Sequence, residues 1–67
     1  MIEISVNGKS QQVDATLTLA SALTAWGYRC EKVAVAINSE FVSRVDYQVL
    51  FFSAGDLVDI VVPVAGG

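Results

Sequence analysis

The chain has 67 residues, of which 54% are hydrophobic and 16% are charged, and this composition excludes an intrinsically disordered protein. Its net charge is −3, and its four basic residues form no run, which argues against a nucleic-acid-binding protein because phosphate binding needs a clustered basic field. The single cysteine cannot form an internal disulfide. The hydrophobic core, which is near the lower size limit for a stable domain, must therefore be stable without a covalent cross-link.

The first predicted element is a β-hairpin over residues 2–14. Ile2, Ile4 and Val6 alternate with polar residues, which is the period of a strand with one buried face. Asn7-Gly8 follows and is the preferred two-residue hairpin turn. The return strand is mostly polar, which suits the edge of a sheet because it discourages pairing with a further strand. We therefore expect the second strand at the border of the sheet.

Residues 15–27 predict one helix of about three turns. Its larger apolar side chains fall on one stripe, formed by Leu19, Leu23 and Trp26. Either Thr16 or Thr18 can cap its start, and Gly27 stands where a glycine commonly follows a helix. We expect the apolar stripe to pack on a sheet.

Residues 32–42 predict a second hairpin. One face of its first strand carries Val33, Val35 and Ile37. The other face carries Ala34 and Ala36. The turn is assigned to residues 38–40, Asn-Ser-Glu, and the return limb to residues 41–42.

Residues 43–63 predict an irregular connection and a final strand. We expect a short helical turn over residues 45–47, Leu50 and Phe52 in the core, and a turn at residues 55–56, Gly-Asp. The final strand is apolar on both faces, which is typical of a central or partner-covered strand. We expect one face to carry Val58, Ile60 and Val62 and the other to carry Leu57, Asp59 and Val61. Pro63 ends the strand because it has no amide hydrogen to donate.

This order of elements predicts an α+β protein with a β-grasp roll, in which a mixed five-stranded sheet packs on one helix. The first and last strands would lie parallel in the middle of the sheet. A small barrel of the SH3 or OB kind would have no obvious place for a three-turn helix so early in the chain. We expect a single domain, residues 1–67, with a flexible C-terminal tail, residues 64–67.

The sequence offers few groups for catalysis. It has no histidine, one cysteine, no glycine-rich phosphate loop and no acidic cluster with metal-ligand spacing, so we expect neither an enzyme nor a metal or bound cofactor. The remaining candidate is the α-carboxylate of Gly67, since such groups, with a reference pKa of about 3.3–3.7, are anionic at neutral pH. Two terminal glycines would let this carboxylate enter a narrow channel in another protein. A terminal Gly-Gly is also compatible with a plain frayed end.

Two stretches of the sequence resemble a known family. VAVAINSEFVSR, followed by GDLVDIVVPVAGG, resembles the small sulfur carrier protein of thiamine (thiazole) biosynthesis, the ThiS family of ubiquitin-like β-grasp proteins. Its members pair an A-x-A-x-N-x-x-x-V-x-R stretch with a Gly-Asp turn and a terminal Gly-Gly. The chain departs from this pattern at Ser43, where proline is common, and at Tyr47, where tryptophan is common.

The resemblance implies a sulfur-transfer role for the C terminus. The Gly67 carboxylate would be adenylated by an E1-like activating enzyme that uses ATP, converted to a thiocarboxylate with sulfur from a persulfide donor, and presented to thiazole synthase. Gly66 and Gly67 carry over directly from the family, and Val64 and Ala65 match the tail that enters the active site of a partner. ATP would belong to the activating enzyme, and no cofactor would be bound by this chain.

Three alternatives remain open at this point. The small subunit of molybdopterin synthase shares the fold and the tail chemistry, and Pro63 fits it, although the chain length and Arg44 favour the thiamine family. A β-grasp interaction module would carry Gly-Gly incidentally. A ubiquitin-like modifier would instead join Gly67 to lysines of target proteins.

The chain has more apolar residues than so small a core can bury, which predicts a contact surface. If the alternating valine and isoleucine positions of the strands face the helix, the other face of the sheet is apolar near the root of the tail. The residues expected on this face are Ala34, Ala36, Leu57 and Val61. We expect it to dock both the activating enzyme and thiazole synthase.

The sequence also predicts where the protein is found. Met1 leads directly into the first strand pattern without the basic and apolar regions of a signal peptide. The mostly apolar stretches fall short of the about 18–20 residues that a membrane span needs. We therefore expect a cytoplasmic protein with neither membrane nor nucleic acid among its partners.

Overall fold

One mixed sheet organises the part of the chain that the computed structural model describes, residues 1–63. Its strands are β1 (Ile2–Val6), β2 (Lys9–Val13), β3 (Ala34–Ile37), β4 (Glu40–Phe41) and β5 (Leu57–Val61). The helix α1 covers Leu19–Ala25, and two short 3-10 turns cover Cys30–Lys32 and Arg44–Asp46. The strand order is β2-β1-β5-β3-β4, with β1 and β5 parallel in the middle and the other pairs antiparallel. The predicted α+β class and β-grasp arrangement are confirmed.

The first hairpin forms as predicted. Asn7 (φ 52°) and Gly8 (φ 84°) both adopt the left-handed conformation that a two-residue type I′ turn requires. The turn places Val6 opposite Lys9, and the mostly polar β2 lies at one border of the sheet. The prediction of an edge strand is therefore confirmed.

α1 is shorter than predicted, with seven residues and thus about two turns. It begins after Thr18, whose Oγ1 accepts a hydrogen bond from the amide three residues on, at 3.2 Å. The residues before Thr18 form a turn held by Asp14, so they do not extend the helix. Leu19 and Leu23 are fully buried, and Gly27 (φ 90°) follows the helix as expected. No helix within residues 1–63 is long and apolar enough to cross a membrane.

The second hairpin turns on two residues, whereas three were predicted. Asn38 (φ 52°) and Ser39 (φ 72°) form the turn, and Glu40 belongs to β4. Ala36 consequently lies opposite Phe41. A shift of one residue in a strand register moves every side chain to the other face of the sheet, so this difference changes the content of each face.

The connection between β4 and β5 closes the core, and its first part contains the predicted short helical turn. Tyr47 and Phe52 are buried, and Leu50 packs partly buried against the core. Phe51 is exposed, so of the two adjacent phenylalanines only the second enters the core. The amide of Leu19, the first helical residue, donates to the Leu50 carbonyl at 2.8 Å, which ties the connection to the start of α1.

The core lies between α1 and one face of the sheet. Its buried members are Ile4, Val6, Val13, Leu19, Ala22, Leu23, Val33, Val35, Tyr47, Phe52, Val58 and Ile60. Trp26 packs partly buried at its margin, with its ring centroid 6.1 Å from that of Phe52. The predicted packing of the helix stripe on the sheet is therefore confirmed.

Candidate docking face and tail root

β5 separates the core from a second apolar surface. Val58 and Ile60 are buried against α1. Leu57 and Val61 lie on the opposite face, with 58% and 50% of their surface exposed. The predicted alternation along residues 57–61 is confirmed, and β5 presents an apolar surface to each side.

The strand register identifies the neighbours of β5 on this second surface, because residues directly opposite each other project to the same side of a sheet. Ala36 lies opposite Phe41 on one side and Asp59 on the other. Ala34 lies opposite Val61. We call this surface the outer face, and its residues are Ala34, Ala36, Phe41, Leu57, Asp59 and Val61.

The predicted residues of the outer face differ in what they expose. Leu57 and Val61 present large apolar side chains, but Ala34 is half-buried and Ala36 is only 7% exposed. The short side chains of Ala34 and Ala36 lie between larger neighbours. Phe41 adds a third large apolar side chain, which is 75% exposed.

Phe41 was not among the predicted docking residues, and the reason lies in the turn. A three-residue turn does not place Phe41 opposite Ala36. The observed two-residue turn places Phe41 opposite Ala36, so the phenylalanine ring lies on the outer face. Asn38 gives half of the signal for a type I′ turn, because asparagine readily adopts the positive φ that this turn requires, but the glycine that commonly follows it is replaced by Ser39.

Acidic side chains accompany the apolar residues on this side of the sheet. Asp59 lies within the outer face, and Glu3, whose Oε2 accepts a hydrogen bond from Ser10 Oγ at 2.7 Å, lies on the same side in β1. Lys9 is the basic residue found within the five strands, and it pairs with the buried Val6 and so projects to the other side. The outer face is therefore apolar and acidic.

The tail leaves the sheet at the end of β5. Pairing with β3 ends at Val61, and Val62 follows with 56% of its surface exposed. Val62 was predicted on the same face as Val58 and Ile60, but unlike them it is exposed, because it lies beyond the last paired residue of β5. The predicted tail, Val64, Ala65, Gly66 and Gly67, lies outside the described residues.

Reactive side chains are sparse in the part of the chain that the structure covers. Cys30 is half-buried beside α1, and its Sγ lies 3.8 Å from the Ala20 carbonyl oxygen. Within residues 1–63, no three His, Cys, Asp or Glu side chains are grouped so that they could hold a metal ion. The outer face and the adjoining tail root are the candidate functional surface.

Comparison with known proteins identifies the family. The family model described as the ThiS family matches residues 4–67. The chain belongs to the ThiS family. This confirms the resemblance found in the sequence, and the ThiS match covers the helix, the other four strands and β1 from residue 4 onward. Among curated proteins, none matches the chain significantly.

Two solved structures resemble this ThiS-family chain closely. The crystal structure of a thiamine biosynthesis protein (ThiS) from Geobacter metallireducens has 29% sequence identity and a TM-score of 0.80, and the similarity covers 98% of this chain and 100% of that one. The NMR solution structure of a thiamine biosynthesis protein from the same organism has 29% identity and a TM-score of 0.77, covering 98% and 88%. The similarity therefore extends over the whole fold.

Proposed function

We propose that this protein is a sulfur carrier of thiamine biosynthesis and that Gly67 carries the sulfur. The observation that carries the proposal is the ThiS-family match, which extends through Gly66 and Gly67. The two thiamine biosynthesis proteins of similar structure support the same pathway. In this proposal the chain is the substrate of other enzymes and not itself an enzyme.

The first chemical step activates the C-terminal carboxylate. A carboxylate oxygen of Gly67 attacks the α-phosphate of ATP in an E1-like activating enzyme, which forms an acyl-adenylate and releases pyrophosphate. The absence of a Cβ at both glycines removes the bulk that would obstruct a narrow active-site channel. ATP and the groups that bind it belong to the activating enzyme.

The second step replaces AMP with sulfur. The terminal sulfur of a cysteine persulfide attacks the acyl carbon of Gly67 and displaces AMP, which gives an acyl disulfide. A second thiol then attacks the S–S bond, is itself oxidised to a disulfide, and leaves the thiocarboxylate on Gly67. Thiazole synthase receives the sulfur from this group.

The outer face is the proposed docking surface for both the activating enzyme and thiazole synthase. It combines the exposed side chains of Phe41, Leu57 and Val61 with the carboxylate of Asp59, and it adjoins the point where β5 ends. A complementary partner surface would be apolar with Lys or Arg opposite Asp59, because complementary charge steers encounter and fixes orientation. Docking here would place the tail beside the partner.

The molybdopterin alternative shares this chemistry, so the pathway needs its own test. The ThiS-family match favours thiamine over the small subunit of molybdopterin synthase. We expect the gene to restore growth of a thiamine auxotroph that lacks its sulfur carrier and not of the corresponding molybdopterin auxotroph. The opposite pattern would assign the protein to the other pathway.

The direct test of the carrier function is the mass of the protein isolated from cells that are making thiamine. Replacement of one oxygen by sulfur adds about 16 Da, as methionine oxidation does, so fragment spectra must place the added mass on Gly67 and not on Met1. We expect a thiocarboxylate on Gly67 of the full-length protein and none on a chain that lacks Gly67. Unmodified Gly67 under active thiamine synthesis would contradict the proposal.

A further inference from the structure

We propose that the side chain of Asn7 is a positioning residue that fixes where the C-terminal tail leaves the sheet. This inference rests on the proposed carrier function, because it concerns delivery of Gly67 to the activating enzyme. It starts from one hydrogen bond between residues far apart in sequence, in which the Ile60 amide donates to Asn7 Oδ1 at 2.8 Å.

This bond extends the parallel pairing of β1 and β5 beyond the end of β1. The amides of Ser5 and Asn7 donate to the carbonyl oxygens of Asp56 and Val58, both at 2.9 Å. Bonds in a parallel pair are evenly spaced, so the main-chain carbonyl of Asn7 is the next acceptor expected for the Ile60 amide. At Asn7 the chain turns away into β2 with φ 52°, and the side-chain oxygen accepts instead.

The position of this hydrogen bond gives Asn7 a role that an ordinary turn asparagine does not have. Asn7 directly follows β1 and is the last residue on this side that can hold β5, since the chain turns back here. On the other side of β5, pairing ends one residue later, at Val61. The Asn7 side chain and the start of β3, at Ala34, together hold the segment from which the tail departs.

Loss of the Asn7 bond would loosen the end of β5. Val35 and Ala34 still pair with Ile60 and Val61, so the end of the strand would be held from one side only. A misplacement of only about 1 Å at a reacting group can lower a rate about a hundredfold. A small shift of the loosened strand end should therefore slow reaction of Gly67 while the rest of the outer face still docks.

Asn38 provides a matched comparison within the same strand. It has the same φ of 52°, also begins a hairpin turn, and its Oδ1 accepts from the Leu57 amide at 3.0 Å. It holds the start of β5, however, whereas Asn7 holds the end near the tail. A purely structural role in turn formation predicts equal effects of changing either asparagine, and a positioning role predicts an effect on the reaction from Asn7 alone.

The experiment compares Asn7→Gly with Asn38→Gly, since glycine keeps the positive φ of both turns while removing the acceptor. In Asn7→Gly we expect hydrogen exchange of the Ile60 amide to rise about tenfold. With a purified activating enzyme, we expect kcat for ATP–pyrophosphate exchange to fall about tenfold or more, and KM for the carrier to stay within about twofold. Asn38→Gly should raise exchange at Leu57 and leave kcat unchanged.

The conservative variant Asn7→Asp keeps an acceptor oxygen and should restore kcat. A wild-type kcat in Asn7→Gly, unaltered exchange at Ile60, or an equal loss of kcat in Asn38→Gly would each overturn the positioning role. Failure of the proposed function looks different, because the unaltered chain and all variants would then lack adenylation alike.

Discussion

At the scale of single residues, Asp14 fixes the short connection between β2 and α1. Its Oδ1 accepts hydrogen bonds from the Thr16 amide at 2.8 Å and from Thr16 Oγ1 at 2.7 Å. Both hydrogen bonds favour the ionised carboxylate and hold the pKa of Asp14 below its usual value of 3.8. The bond from the Thr16 amide has the larger effect, and the bond from the Thr16 hydroxyl has the smaller one. Because the pKa is lower in the folded chain, this group stabilises the fold above the unfolded pKa, and the contribution is lost as pH falls through the folded pKa.

The Asp14 prediction can be measured by NMR titration of its carboxyl carbon. Thr16→Val keeps the amide donor and removes the hydroxyl, so the pKa of Asp14 should rise part of the way toward the usual value. Thr24→Val is the control, because the Thr24 hydroxyl bonds to the Ala20 carbonyl and not to Asp14. Superimposable titration curves for wild type and Thr16→Val would contradict this account.

At the scale of elements, α1 depends on its cap because a helix of seven residues is marginal by itself. Thr18 satisfies one of the free amides at its start, through the bond to the Ser21 amide. Thr18→Ala should lower the free energy of unfolding by about 1 kcal/mol, measured as a lower midpoint in urea denaturation.

The control for the cap is Thr24→Ala, which removes the same side chain from an exposed position within the helix. Alanine has the higher helix propensity, so this variant should not lose stability. An equal loss in the two variants would mean that the effect of Thr18 does not come from capping.

The elements also show what the sequence could predict and what it could not. The strand alternation in residues 2–6 and 57–61 and the Asn7-Gly8 turn are local signals, and the structure agrees with them. The helix length was overestimated because residues 15–17 fit a helical pattern, while the Asp14 side chain competes for the Thr16 amide and forms a turn instead. The competing signal is an acidic residue two positions before a threonine.

The length of the turn in the second hairpin could not be predicted from the sequence. Asn-Ser is a weaker turn signal than Asn-Gly, and Ser39 adopts a positive φ that serine rarely takes. The sequence therefore did not distinguish a two-residue turn from a three-residue turn. That single residue decided whether Phe41 joined the outer face.

At the scale of the whole molecule, the two faces of the central strand have different surroundings. The face toward α1 builds the core, and the outer face remains apolar although it is exposed. The location of the outer face was predictable from the alternation around Leu57 and Val61. The sequence did not predict that Phe41 supplies its largest side chain or that Val62 is exposed. Both depend on which strand lies alongside, and strand register is a tertiary property.

This division of faces leads to a prediction about Phe41. It is 75% exposed on the outer face, and complete burial of a phenylalanine side chain in an interface would contribute about 1.5–3 kcal/mol. Phe41→Ala should therefore raise the Kd for the activating enzyme by about tenfold, measured by isothermal titration calorimetry.

Phe51→Ala is the matched control for Phe41→Ala, because Phe51 is also an exposed phenylalanine but lies outside the five strands, bridged to Thr18 at the start of α1. Its truncation should leave the Kd within about twofold of wild type. Thermal unfolding of both variants should show that each remains folded, since neither ring belongs to the buried core. If Phe41→Ala binds as tightly as wild type, or if Phe51→Ala weakens binding as much, then the activating enzyme does not dock on the outer face.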